Sequence, residues 1–144
     1  MTTGAFPALS VRQPWAELIV SGKKSIEIRR WQRSYRGRIW IHAAKHVDEA
    51  LDLHFGLRDP FRGGFIGSAE ITSIETIDER RWEAWRSLHL DRGPFQDELF
   101  AWVLAHSRRL AWPVAAPGDV GLFSVPADLL AQLADSDRAA PSAQ

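Results

Sequence analysis

SVRQPWAELIVSGKKSIEIRRWQRSYRGRIWIHAAK, residues 10–45, sets a short helix, a glycine stop and two strands in immediate succession. Proline is tolerated at the first helical position, so Gln13-Pro14-Trp15 predicts a helix start. Trp15, Leu18 and Ile19 follow at helical spacing and give it one apolar face. Ser21-Gly22 ends it, with Gly22 suited to a left-handed cap. A helix of about two turns needs tertiary packing to persist. Ser25 to Arg30 then alternates with period two. Ile26 and Ile28 face one way; Ser25, Glu27 and Arg29 face the other. After a polar connection, Gly37 marks a turn and Arg38 to Ala44 reads as a second strand.

The alternation has a chemical consequence. Glu27 and Arg29 sit two apart on a strand and share a face, and Lys24 precedes them at its edge. An ammonium, a carboxylate and a guanidinium are thus expected to converge near the helix end, the carboxylate holding the cations and the cations keeping it ionised. Such a trio binds a phosphate or carboxylate, transfers a proton, or serves as a purely structural ion-pair network.

The charge distribution points the same way. The chain has 144 residues and no net charge, with 18 Lys/Arg against 18 Asp/Glu. Yet residues 1–45 carry nine basic and two acidic side chains, a balance of +7, and residues 46–144 carry −7. Such asymmetry hints at a polyanion-binding face. Fifteen of the basic residues are arginine, the side chain suited to bidentate phosphate contacts and stacking. Seven tryptophans are many for this length; most belong in a core, and one or two at a cleft rim would stack on bases.

Further along, Val47 to Leu57 reads as helix, Phe65 to Ile77 as the strongest strand, with Glu70 projecting from it, and Asp78 to Leu90 as helix with Asp78 its N-cap. Leu99 to His106, Arg109 to Val114 and Val120 to Val125 read as three short strands, and Pro126 to Leu133 as a last helix. Five or six short strands with scattered helices predict an α+β domain on a small curled sheet or barrel rather than a doubly wound fold. Residues 1–7 are expected to be a loose N-terminal tail, 8–133 the domain, and 134–144 a disordered C-terminal tail.

Several chemistries find no support. The chain has no cysteine, which excludes disulfides, thiolate metal sites and a cysteine nucleophile. No dinucleotide, P-loop or α/β-hydrolase motif occurs. His42 and His46 are four apart without a third ligand, so no metal site and no cofactor are expected. No apolar run approaches the length of a membrane span, and Met1 to Leu9 lacks the pattern of a signal peptide, so a cytoplasmic location is expected.

Gln13-Pro14-Trp15, then Gly22 to Arg29 in the pattern GxKxxExR, then Trp31 and the strand Arg36 to His42, resemble the ASCH domain, the activating signal cointegrator homology family. The glycine-led strand Gly64 to Ile74 and the closing segment Pro117 to Phe123 extend the likeness over most of residues 8–126. The resemblance implies a PUA-like β-barrel, related to domains that bind RNA, with flanking short helices. It implies a cleft between the first helix and the barrel, lined by Lys24, Glu27 and Arg29 with Arg12, Gln13 and Trp15 nearby. RNA or DNA, single-stranded rather than duplex, or a nucleoside would bind there. Arg36, Arg38, His42 and Lys45 complete the expected nucleic-acid-binding set.

Some relatives imply catalysis instead. One branch resembles small amidohydrolases of N4-acetylcytidine that use the motif lysine, a threonine three residues on, and a glutamate. The lysine corresponds to Lys24; the threonine position is Glu27 here. In that reading Lys24 and Glu27 take acid–base roles. A ribonuclease using Lys24 and His42 is a further option, and a non-catalytic protein or anion interaction module a third.

Overall fold

A computed structural model describes residues 5–141. Six strands form one mixed, curled half-barrel sheet, flanked among the described residues by five short helices. The strands are β1 (Ala8–Val11), β2 (Ile26–Arg29), β3 (Gly37–Ala43), β4 (Gly64–Ile77), β5 (Leu99–Ala115) and β6 (Leu122–Phe123), in the order β2-β5-β4-β3-β1-β6. Only β1 and β3 pair in parallel. The helices are α1 (Trp15–Val20), α2 (Glu49–His54), α3 (Glu79–Ala84), α4 (Arg86–His89) and α5 (Ala127–Ala139). None of them is long and apolar enough to cross a membrane.

Alternation along the strands divides the core in two. Leu9, Val11, Ile39, Ile41 and Ala43 pack with Ala16, Ile19 and Val20 of α1. Ala8, Trp40, Phe65, Leu110 and Val114 pack on the other face with Leu133 of α5. A third cluster, Ile26, Ile77, Trp82, Leu99 and Ala101, lies where α3 and α4 meet β2, β4 and β5. The seating of α1 depends on one glycine. A Cβ at Gly67 would lie 2.6 Å from the Val20 side chain and 2.3 Å from the Arg108 carbonyl oxygen.

The helix stop behaves as the sequence implies, with Gly22 at φ +83°. Pro14 stands one position earlier than expected, as the N-cap of α1. Asp78 caps α3 by accepting from the Arg81 amide. The expected helix from Asp78 to Leu90 is broken into α3 and α4 at Trp85.

Other expectations need correction. Leu99 to His106 and Arg109 to Val114 are one strand, β5, not two. His106, at φ 51°, kinks it, and the register against β4 shifts between Ser68 and Glu70. Further shifts at Phe65/Gly67 and Ile71/Ser73 mean that no single parity holds along β4. Glu70 is half-buried there, its Oε1 3.0 Å from His106 Nδ1. The Val120 to Val125 strand shrinks to two residues.

The terminal boundaries shift as well. Phe6 stacks on Trp40 at 4.8 Å, and the Pro7 carbonyl accepts from the Trp40 amide. Residues 6 and 7 are therefore packed rather than loose; residues 1–4 of the expected tail lie outside the described residues. The last helix runs to Ala139, past the expected end at Leu133. Three contacts explain it. Ser136 Oγ accepts from the Trp112 amide and donates to the Trp112 carbonyl, and Arg108 donates to the Asp137 carboxylate. Residues 142–144 lie outside the described residues.

Candidate functional site: a tryptophan-walled cleft over an ion-paired glutamate

β2 is an end strand of the sheet and pairs only with β5, Glu27 opposite Trp102 and Arg29 opposite Phe100. Ile26 turns into the third core cluster, with Ile28 packed against it. That leaves Glu27 and Arg29 on the other face, as their alternation requires. The left-handed Gly22 sends the chain back under α1, where the Lys24 amide donates to the Leu18 carbonyl at 2.9 Å.

The three charged groups meet. Arg29 Nε donates to Glu27 Oε2 at 2.9 Å, and Nη2 lies 2.8 Å from the same oxygen. Nη2 also donates to the Ser10 carbonyl at 3.0 Å. Lys24 Nζ lies 3.6 Å from Glu27 Oε1 and donates to the His89 carbonyl at 2.6 Å. It also sits 4.9 Å from the Trp15 ring centroid, within cation–π range. Burial pushes the Lys24 ammonium below its ordinary value, and the facing Glu27 carboxylate opposes that shift.

Glu27 and Arg29 line a cleft of about 440 Å³ together with Arg12, Trp15, Trp31 and the loop Asp119–Gly121. Lys24 does not line it. It is 3% exposed and lies behind the carboxylate. Of the three groups expected to share a hollow, two open onto it and the third supports them from beneath. Gln13 is also buried, accepting from the Glu17 amide and donating to the Phe61 carbonyl. A second hollow of about 480 Å³ shares Ser10, Ala44, Asp119 and Val120 with the first and holds His42 and Lys45.

Arg36 and Arg38 line neither hollow. Arg36 is exposed and turns back on the carbonyls of Arg33 and Tyr35. Arg38 shares the parity of Trp40, which faces α5, and donates to Ser68 Oγ and the His106 carbonyl.

Other residues at the site were not among those expected to line it. Trp31 forms part of the cleft wall, with Trp102 edge-on at 4.8 Å and the Arg33 guanidinium 4.4 Å from its ring centroid. Trp31 and Arg33 do belong to the basic, aromatic stretch, which was the available signal. His89 was invisible. Its ring is buried, stacked on Trp82 at 4.2 Å, and burial holds its pKa below the ordinary value. Its role at the site is through its carbonyl, which any residue type supplies. Val120, 88% exposed on the loop between the two hollows, carried no signal either.

These features place the chain among known proteins. A model of the ASCH domain family matches residues 9–114, and the chain belongs to that family. Its fold is similar to crystal structures of ASCH from Zymomonas mobilis. One point mutant of that protein matches with a TM-score of 0.66 and 19% identity, covering 90% of this chain and 96% of that one. A second mutant matches with a TM-score of 0.65 and 19% identity over 94% and 98% of the two chains, and the unsubstituted protein with 0.63 and 21% over 90% and 93%. Activating signal cointegrator 1 of Homo sapiens is 57% identical over 35 residues, 24% of this chain and 6% of that protein. Its Mus musculus counterpart is 54% identical over a stretch of the same length.

Proposed function

We propose that this chain binds single-stranded nucleic acid, RNA or DNA, and seats one base in the cleft between Trp15 and Trp31. The observation that carries this reading is the make-up of the cleft: two indoles beside a carboxylate–guanidinium pair, with Arg12 also in its lining. A volume of about 440 Å³ is of the size that takes a small-molecule ligand. Bases stack on aromatic side chains and are hydrogen-bonded along their edges once they leave the helix. Every base presents a donor beside an acceptor there, which suits Glu27 Oε2 and Arg29. Arg29 Nη1 makes no protein hydrogen bond among the described residues, which leaves it available to a ligand. Arg12 and Arg33 add positive charge around the cleft for the phosphates.

Lys24 acts in this reading as a positioning residue, fixing the Glu27 carboxylate from behind. Its ammonium is already held by His89, Glu27 and Trp15, which favours support over direct phosphate contact.

A fluorescence-anisotropy titration tests the proposal, with mixed-sequence single-stranded RNA, single-stranded DNA and duplex DNA at two salt concentrations. The wild type should bind single strands more tightly than duplex, and affinity should fall with salt as counterions are released. Arg29→Ala should bind more weakly at both salt concentrations. Failure of the folded wild type to retain any oligonucleotide at low salt overturns the reading.

A further inference from the structure

Ser10 and His42 stand directly opposite each other in the parallel register of β1 and β3. Their side chains meet, Oγ to Nδ1 at 3.1 Å, and His42 Nε2 lies 2.7 Å from the Ala116 carbonyl oxygen. A carbonyl oxygen only accepts, so in the neutral ring Nε2 carries the proton and Nδ1 is bare. The Ser10 hydroxyl must then donate to Nδ1. This is the order of a nucleophile, its base and the group that orients the base.

Three further features favour use over mere packing. Ser10 is the one partly exposed residue of β1 and lines both hollows. Gly118 lies over the pair, where a Cβ would come within 2.8 Å of His42 Cε1 and 3.0 Å of Ser10 Oγ. Only a glycine fits against the pair there, and Ser10 keeps its opening into the hollow that Gly118 also lines. Lys45 lines the same hollow and places a positive charge near His42.

We propose that Ser10 and His42 form a nucleophile–base pair that hydrolyses small carboxylic esters in this second hollow. Ser10 Oγ attacks the ester carbonyl carbon as its proton passes to His42 Nδ1. The charge on the carbonyl oxygen forms beside Lys45. Collapse breaks the bond to the alcohol oxygen, which takes the proton from Nδ1 and leaves, with the acyl group on Ser10. Water then attacks the acyl carbon, giving its proton to His42. Release of the carboxylic acid restores the Ser10 hydroxyl. Ser10 from β1 faces the imidazole and Lys45, beyond β3, places its charge near it, while Asp119 of the loop lines the same hollow.

The test uses the full chain with p-nitrophenyl acetate, reading p-nitrophenol release and locating the acetyl group by peptide mass spectrometry. The wild type should carry acetyl on Ser10, and Ser10→Ala and His42→Gln should each lose about 100-fold or more in rate. Exposed Glu83→Gln on α3 should match the wild type. Thermal melts keep the outcome readable: Ser10→Ala removes a single hydroxyl and should fold even where His42→Gln does not. Acetyl found only on lysines, or a folded Ser10→Ala as fast as the wild type, overturns the proposal.

Discussion

Arg29 holds Glu27 from the side, its Nε donating to Oε2 at 2.9 Å and its Nη2 2.8 Å from that same oxygen. The other carboxylate oxygen faces Lys24, 3.6 Å away. The carboxylate is therefore pinned between two cations, one toward the cleft and one toward the core. A guanidinium does this with a fixed fork, whereas an ammonium would offer only a point charge.

Arg29→Lys and Arg29→Ala should consequently differ. Both should weaken oligonucleotide binding. The alanine variant should lose more than the lysine variant, and because Arg29 meets a base edge rather than a phosphate, neither should lower the slope of log affinity against log salt by the full unit expected of a lost phosphate contact. Titrations of the three proteins over a series of salt concentrations check this.

Lys24→Met should reach the site through Glu27. It removes the donor to the buried His89 carbonyl and one of two cations on the carboxylate. An unsatisfied buried acceptor costs on the order of 1–3 kcal/mol, so the urea midpoint should fall accordingly. Binding should weaken less than in Arg29→Ala, because Lys24 does not reach the cleft surface. A larger binding loss for Lys24→Met in folded protein would show direct ligand contact.

Trp31→Ala should cost about 1–3 kcal/mol of binding, the range for one base stacked on an aromatic side chain. Trp31 is half-buried and meets Trp102 edge-on, so a modest loss of stability is expected alongside. Comparing the drop in affinity with the drop in melting temperature separates the two effects.

Stability should fall with acid before the carboxylates titrate. Burial holds both His42 and His89 below the ordinary value of 6.5. Between their lowered folded values and 6.5 the unfolded chain binds protons that the folded chain does not, so stability rises with pH across that window and is lost as pH falls through it. Urea midpoints measured from about pH 7 down to about pH 5 should show this slope. It should be shallower in His42→Gln, whose glutamine cannot titrate.

Much of the site was legible because it depends on short-range periodicity. Alternation alone put Glu27 and Arg29 on one face of β2, and the helix–glycine–strand order brought Lys24 beside them. The long strand β5 was misread as two because a kink at His106 interrupts its pattern without ending its pairing to β4. The C-terminal helix was cut short because Ser136 and Asp137 look like tail residues. Only their contacts with Trp112 and Arg108, 24 and 29 residues away, make them structural.

The amino-acid order by itself determined the family pattern, the basic first third, the face that carries Glu27 and Arg29, and the turn at Gly22, since each rests on spacing or on one residue's backbone preference. Only the folded chain decided that Lys24 lies behind the carboxylate, because the carbonyl that captures it belongs to His89, 65 residues on. It likewise decided that Ser10 faces His42, a contact made by the pairing of β1 with β3 across 32 residues. A carbonyl has no side-chain identity and a strand register has no local code, so neither contact is written in any short stretch of sequence.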